Sequence, residues 1–194
     1  MKIKRPQSRQ PIPPNAKKVF KGEVFDVYQW KQKLFDGTYA TFEKIKRADG
    51  VNVIPVTAEG KIILGRQAQP GEKPFIGVLG GAMDEGETPL ETAKRELLEE
   101  SGYKATKWTL WDAVQLYSKS EWAIYTFIAR GCQKVQAQTL EPGERIKLLY
   151  VSFDEYLDII AQENYRDSEL ALKIFRLQRD PKQLEETRRL FTGS

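Results

Sequence analysis

The chain has 194 residues, with 31 Lys and Arg against 27 Asp and Glu, a net charge of +4, one cysteine and no histidine. The missing imidazoles exclude Ser-His-Asp and Cys-His nucleophilic schemes, histidine-ligated zinc and any histidine general base. Cys132 alone excludes an internal disulfide, fits a reducing cytoplasm and reads as a small buried hydrophobe. No apolar run is long enough to cross a bilayer, the start lacks the apolar segment of a signal peptide, and the length suits one globular domain with an extension.

In chain order, residues 1–17 carry Lys2, Lys4, Arg5, Arg9 and Lys17 among Pro6, Pro11, Pro13 and Pro14, and read as a flexible basic arm. Lys18 and Lys21 continue the run, and no acidic residue precedes Glu23. Without these cations the remaining chain is slightly acidic, so the positive balance belongs to the arm. A solubilising tail is the main reading, with contact to nucleic acid or another polyanion as the alternative. Residues 18–48 form a β meander: a strand over 24–30, a turn at Asp36-Gly37 and a return over 39–45.

Residues 49–194 form the main body. A hairpin over 51–56 and 61–64 turns at Glu59-Gly60, and 75–79 leads into a glycine loop. Further strands fall at 108–117, 122–129 and 146–151, and helical periodicity at 153–161, 168–179 and 182–191. There are no internal repeats. Strands and helices interleaved in this way predict a mixed β-sheet covered by helices, an α/β or α+β domain.

The chemistry concentrates after the glycine loop. Thr88 suits a helix N-cap, Pro89 the first helical position and Glu91 the return bond of a capping box, while Gly102 is placed to end the helix. Leu90, Ala93 and Leu97 give that helix an apolar stripe. Glu96, Glu99 and Glu100 then fall at i, i+3 and i+4, about 5–6 Å apart at Cβ on one face. Such a cluster repels itself unless a hard divalent cation, Mg²⁺ or Mn²⁺, binds its oxygens. The plain alternative is a solvated acidic face. Glu87 and Arg95 bracket the first turns, and a charge-assisted bond between them fixes the loop against the helix.

Gly81, Glu87 and the run Arg95-Glu96-Leu97-Leu98-Glu99-Glu100-Ser101-Gly102-Tyr103 resemble the Nudix box of the Nudix hydrolases. Every glycine and charged position of the pattern is filled, and Tyr103 stands where an aliphatic residue is usual. The resemblance implies an α/β/α sandwich. It implies metal binding by Glu96, Glu99, Glu100 and the Gly80 carbonyl, with Gly81, Glu87, Arg95 and Gly102 supporting the site. The segments 22–30 and 34–37, and Arg66-Gln67-Ala68-Gln69-Pro70-Gly71, are similar to the ADP-ribose pyrophosphatase branch. That branch commonly has arginine at the place of Gln69 and glutamate at that of Gly77, and a proline after the box that this chain lacks.

The implied activity is metal-dependent hydrolysis of the pyrophosphate bond in a nucleoside diphosphate linked to another moiety, with ADP-ribose the leading substrate. Nucleotide sugars and dinucleoside polyphosphates are the alternatives within the enzyme class. A non-catalytic nucleotide- or RNA-binding module is the alternative outside it, although the box glutamates are all present. Glu144, in the loop Glu141-Pro142-Gly143-Glu144, and Glu99 are competing general bases, and Glu96 completes the catalytic set. Arg66 and Gln69, with Lys73 and Lys44 as further cations, and Tyr28 and Trp30, with Phe25 and Trp122 as further aromatics, are the substrate-binding candidates. If the meander crosses to a partner, as in related enzymes, the protein is a homodimer.

Overall fold

The chain enters through an antiparallel meander of β1 (Lys17–Lys21), β2 (Asp26–Lys33) and β3 (Tyr39–Lys46) in a computed structural model that describes residues 3–193. The turn between β2 and β3 is held by Asp36, whose carboxylate accepts both the N–H and the hydroxyl of Thr38 at 2.9 and 2.7 Å. β1 is wholly exposed and its periodicity does not announce a strand. It is extended because β2 supplies the partner for its backbone, which local reading cannot foresee.

β4 (Gly50–Thr57), β5 (Ile62–Ala68) and β6 (Phe75–Gly77) follow, then α1 (Pro89–Ser101). Next come β7 (Tyr103–Lys104), β8 (Lys107–Gln115), β9 (Ser120–Glu121), β10 (Ala123–Lys134) and β11 (Arg145–Val151). The chain ends in α2 (Phe153–Ile159), α3 (Ser168–Leu177) and α4 (Pro181–Thr192). The main sheet runs β11-β5-β4-β10-β7, with β6 on β5 and β8 on β10. The parallel pairing of β4 with β10 among otherwise antiparallel strands makes the sheet mixed. β9 runs parallel to β3 and joins the meander sheet to the body.

β4 explains the layering. Successive strand residues point to opposite faces. Ile54 and Val56 belong to a core with Phe153, Tyr156, Ile174 and Phe191 from α2, α3 and α4. Val51 and Val53 belong to a second core with Ala93 and Leu97 of α1. The sheet is thus covered by helices on both faces, as the alternation of elements predicts. Among the described residues, no helix is long and apolar enough to cross a membrane.

The opening segment, read from sequence as a flexible arm, makes specific contacts with the body. Arg5 pairs with Asp49 and Glu121, and the fully enclosed Lys44 ammonium reaches Ser8 and Gln10. Lys44 is therefore committed to the opening segment and to Glu121, not to a phosphate.

Candidate active site

α1 carries the acidic cluster, and its ends are fixed by the residues expected. The Thr88 side chain accepts the Glu91 N–H while Glu91 returns to the Thr88 N–H at 2.8 Å. Gly102, in the left-handed conformation, closes the last turn by donating to the Leu98 carbonyl at 2.8 Å. Burial of Ala93 and Leu97 fixes the rotation of the helix. Glu96 and Glu100 are thereby turned toward the glycine loop, Glu96 against Gly81 and Glu100 on the Gly80 N–H.

Arg95 organises the site. Its Nε and Nη2 grip the two Glu87 oxygens at 3.0 and 3.1 Å, and its Nη1 reaches Glu96 at 2.9 Å and Glu99 at 3.1 Å. Nη2 also donates to the Ala82 carbonyl at 3.1 Å. One guanidinium thus ties the loop to the helix and separates two carboxylates. Arginine suits this role because its planar fork presents several donors at once. Glu100 is 4% exposed and accepts the Gly80 N–H at 2.6 Å. A Cβ at Gly80 would strike the Val51 carbonyl, so that position admits no side chain, and one at Gly81 would displace the Glu96 carboxylate.

The carboxylates titrate far apart. The Arg95 guanidinium holds Glu87 down at about 2. Burial pushes Glu96 up to about 7 against the pull of Arg95. Burial also pushes Glu100 up to about 9, with the Gly80 N–H opposing and the charges of Glu96, Glu144 and Asp167 adding. Glu144 is half-buried, and its carboxylate accepts the Glu141 N–H at 3.3 Å. Its charge is felt at both Glu96 and Glu100, so the fold brings this loop residue to the box glutamates.

Among the described residues no three metal-ligating side chains form a ready-made cage. Arg95 lies between Glu96 and Glu99, and Glu100 faces the Gly80 N–H. The donor chemistry nevertheless fits a hard cation: all the side-chain donors are carboxylates, and burial raises the pKa of the half-buried Glu96 and of the buried Glu100.

Beside Gly80 opens a cleft of about 700 Å³, lined by Gln67 and Gln69 on one side and Arg47, Tyr117 and Trp122 on another. Asp167 closes its α3 side and donates no side-chain cap to its own helix. A family model described as the NUDIX domain matches residues 46–171, the span that holds the loop, α1, most of the cleft wall and Asp167. The chain belongs to this family.

The Nudix chain is 31% identical to an ADP-ribose pyrophosphatase of Bacillus subtilis over 165 residues, covering 82% of this chain and 88% of the relative. It is 30% identical to a methanol dehydrogenase activator of Bacillus methanolicus over 167 residues, covering 84% and 90%. Its fold is similar to a solved ADP compounds hydrolase, with a TM-score of 0.71 at 20% identity over 92% of this chain and 98% of that one.

In this Nudix fold the sequence-predicted substrate contacts separate. Gln69 lines the cleft and receives Arg166 Nη1 at 3.4 Å, while Gln67 donates to the Val78 carbonyl at 3.1 Å. Arg66 is exposed and points the other way, by the alternation of the strand. Trp30 is buried beside Phe42 with its indole N–H on Gln32 at 3.1 Å, and Tyr28 lies beneath Lys18. Neither ring lines the cleft within one chain.

Two cleft residues escape local reading. Arg47 stacks between Phe25 and Trp122, its guanidinium carbon 5.6 and 4.5 Å from their ring centres. Its Nε and the Trp122 indole nitrogen are buried without a partner among the described residues. Burial alone lowers the Arg47 pKa, and no carboxylate offsets it. Asp167 fills the space beside Gly77: a Cβ there would come 2.9 Å from Asp167 Oδ2. A carboxylate thus reaches this place from the helix side, although residue 77 has no side chain. Neither residue carries a local signal: Arg47 follows β3 and Asp167 precedes α3.

Proposed function

We propose that this Nudix hydrolase cleaves the pyrophosphate bond of a nucleoside diphosphate linked to another moiety, with ADP-ribose the leading substrate and Mg²⁺ or Mn²⁺ the cofactor. The observation that carries the reading is the Arg95 knot. It sets Glu96 and Glu99 beside Glu100, which holds the Gly80 N–H, next to a cleft also lined by Arg47, a half-buried cation without a carboxylate partner among the described residues. Glu96, Glu99, Glu100 and the Gly80 carbonyl would hold the metal, which supplies charge neutralisation to the diphosphate and acidity to water.

The chain's own groups do the rest. Arg47 donates to a non-bridging phosphate oxygen while the exposed Tyr117, stacked on Trp122 at 27°, offers a flat face to a nucleobase. Glu144 or Glu99 takes a proton from the attacking water, whose oxygen bonds to phosphorus as the bridging P–O bond breaks. ADP-ribose would yield AMP and ribose 5-phosphate.

Val19, Phe20, Val24, Phe25, Leu34 and Phe35 are exposed on and around the meander sheet. A second copy is the natural cover for this apolar face, and we place a homodimer in the cytoplasm within the same reading.

The test is release of monophosphate from ADP-ribose, nucleotide sugars and diadenosine polyphosphates with Mg²⁺ or Mn²⁺. Preference for a nucleotide sugar would move the substrate assignment. Tight binding without turnover of any would replace the enzyme by a binding module.

A further inference from the structure

The opening segment plays no part in the reaction as described, yet the body holds it at successive points. Arg5 grips both Asp49 oxygens at 2.7 and 2.8 Å and Glu121 at 3.0 Å. The Pro6 carbonyl accepts Gln115 Nε2 at 3.4 Å. Lys44 Nζ lies 2.6 Å from both Ser8 Oγ and the Gln10 carbonyl, and 2.9 Å from Glu121. A lysine ammonium has three donors, and a fully enclosed one is tolerable only when they are engaged. Two of its three partners come from the opening segment, which is therefore built into the fold. Pro6, Pro11, Pro13 and Pro14 restrict the backbone and reduce the entropy lost in holding it there.

Arg9 sits between the two residues that Lys44 holds. Its side chain lines the same cleft as Arg47, Gly80 and Asp167, and it has no ion pair among the described residues. Gln69, across the cleft, brings no charge to that wall. We propose that the opening segment is a strap completing the substrate cleft, and that Arg9 binds a phosphate group of the substrate. This rests on the nucleoside diphosphate reading above. A guanidinium whose two flanking residues are anchored, and which lines the same cleft as Arg47, offers its fork to a phosphate oxygen. The charge of Arg9 is then directed at the cleft, while Arg5 pairs with the body and Lys4 and Lys17 are exposed.

The test uses the full chain with Arg9→Gln and Arg9→Lys, both of which keep the Ser8 and Gln10 anchors. Steady-state kinetics on ADP-ribose with Mg²⁺ is measured beside thermal melting and calorimetric titration of ADP in EDTA. The expected result for Arg9→Gln is a KM raised about tenfold, kcat within about twofold, an unchanged Tm and ADP affinity lowered by a similar factor. Arg9→Lys should fall between, because it keeps the charge and loses the fork. Unchanged KM and ADP affinity in Arg9→Gln would overturn the inference, whatever happens to Tm. If wild-type protein hydrolyses no nucleoside diphosphate derivative, the reaction reading fails and the ADP titration alone decides: equal affinity overturns the strap's role, weaker binding by Arg9→Gln sustains it.

Discussion

Asp167 Oδ2 accepts the Val78 N–H at 2.8 Å across 89 residues of sequence, and its carboxylate stands where a side chain on Gly77 would be. Burial pushes the Asp167 carboxyl up to about 6, with the Val78 N–H and Arg166 opposing. The residue just before α3 and the segment that leads from β6 into the glycine loop thereby become one unit.

That unit predicts a coupled pair of substitutions. Asp167→Ala leaves the Val78 N–H without its acceptor and should cost about 1–3 kcal/mol in urea denaturation. Gly77→Ala forces its methyl against the carboxylate and should destabilise too. In the double variant the clash has no partner, so the summed single effects should exceed the observed one. Strict additivity would show that the two residues act separately.

Arg95→Lys should lower activity at least tenfold and reduce the melting temperature. An ammonium cannot span Glu87, Glu96, Glu99 and the Ala82 carbonyl as the guanidinium does. Activity and Tm matching the wild type would mean that charge alone suffices at this position.

Glu100 gives a pH signature in the metal-free protein. Its folded pKa of about 9 lies above the ordinary 4.5, so the protonated form is favoured by folding. The stability it contributes is full below about pH 4.5 and is lost as pH rises through about 9. Melting in EDTA should therefore fall over that interval, and Glu100→Gln should flatten the fall while abolishing metal-dependent turnover. Mg²⁺ should restore more stability at the alkaline end, where the ligands are already deprotonated. A slope unchanged by Glu100→Gln would place its source elsewhere.

The general base is separable by kinetics. If Glu144 accepts the proton, Glu144→Gln should reduce kcat about 10²–10⁴-fold at saturating metal. Metal affinity should stay near wild type in that variant. Full kcat in Glu144→Gln, with loss in Glu99→Gln, would transfer the role to Glu99.

Most of the fold was legible because its signals are local. The helix from Pro89 to Ser101 begins and ends on residues whose capping chemistry is readable directly. The double-sided burial of β4 follows from its apolar run over 53–56. β1 was not legible, since a strand with every residue exposed exists only through its neighbour. Lys44 and Arg66 read as free cations near a phosphate, but one is enclosed by the opening segment and the other faces out of the cleft.

The sequence by itself determined the carboxylate helix, its caps, the Arg95–Glu87 tie and the exclusion of histidine chemistry. These depend on spacings of a few residues, which the helical repeat converts directly into geometry. Only the tertiary structure decided what surrounds them. Arg9, Arg47, Trp122 and Asp167 meet in one cleft because two sheets and α3 pack around Gly80. Whether a charged side chain ends in solvent, in an ion pair or unpaired in a cleft depends on that packing, and no local pattern encodes it.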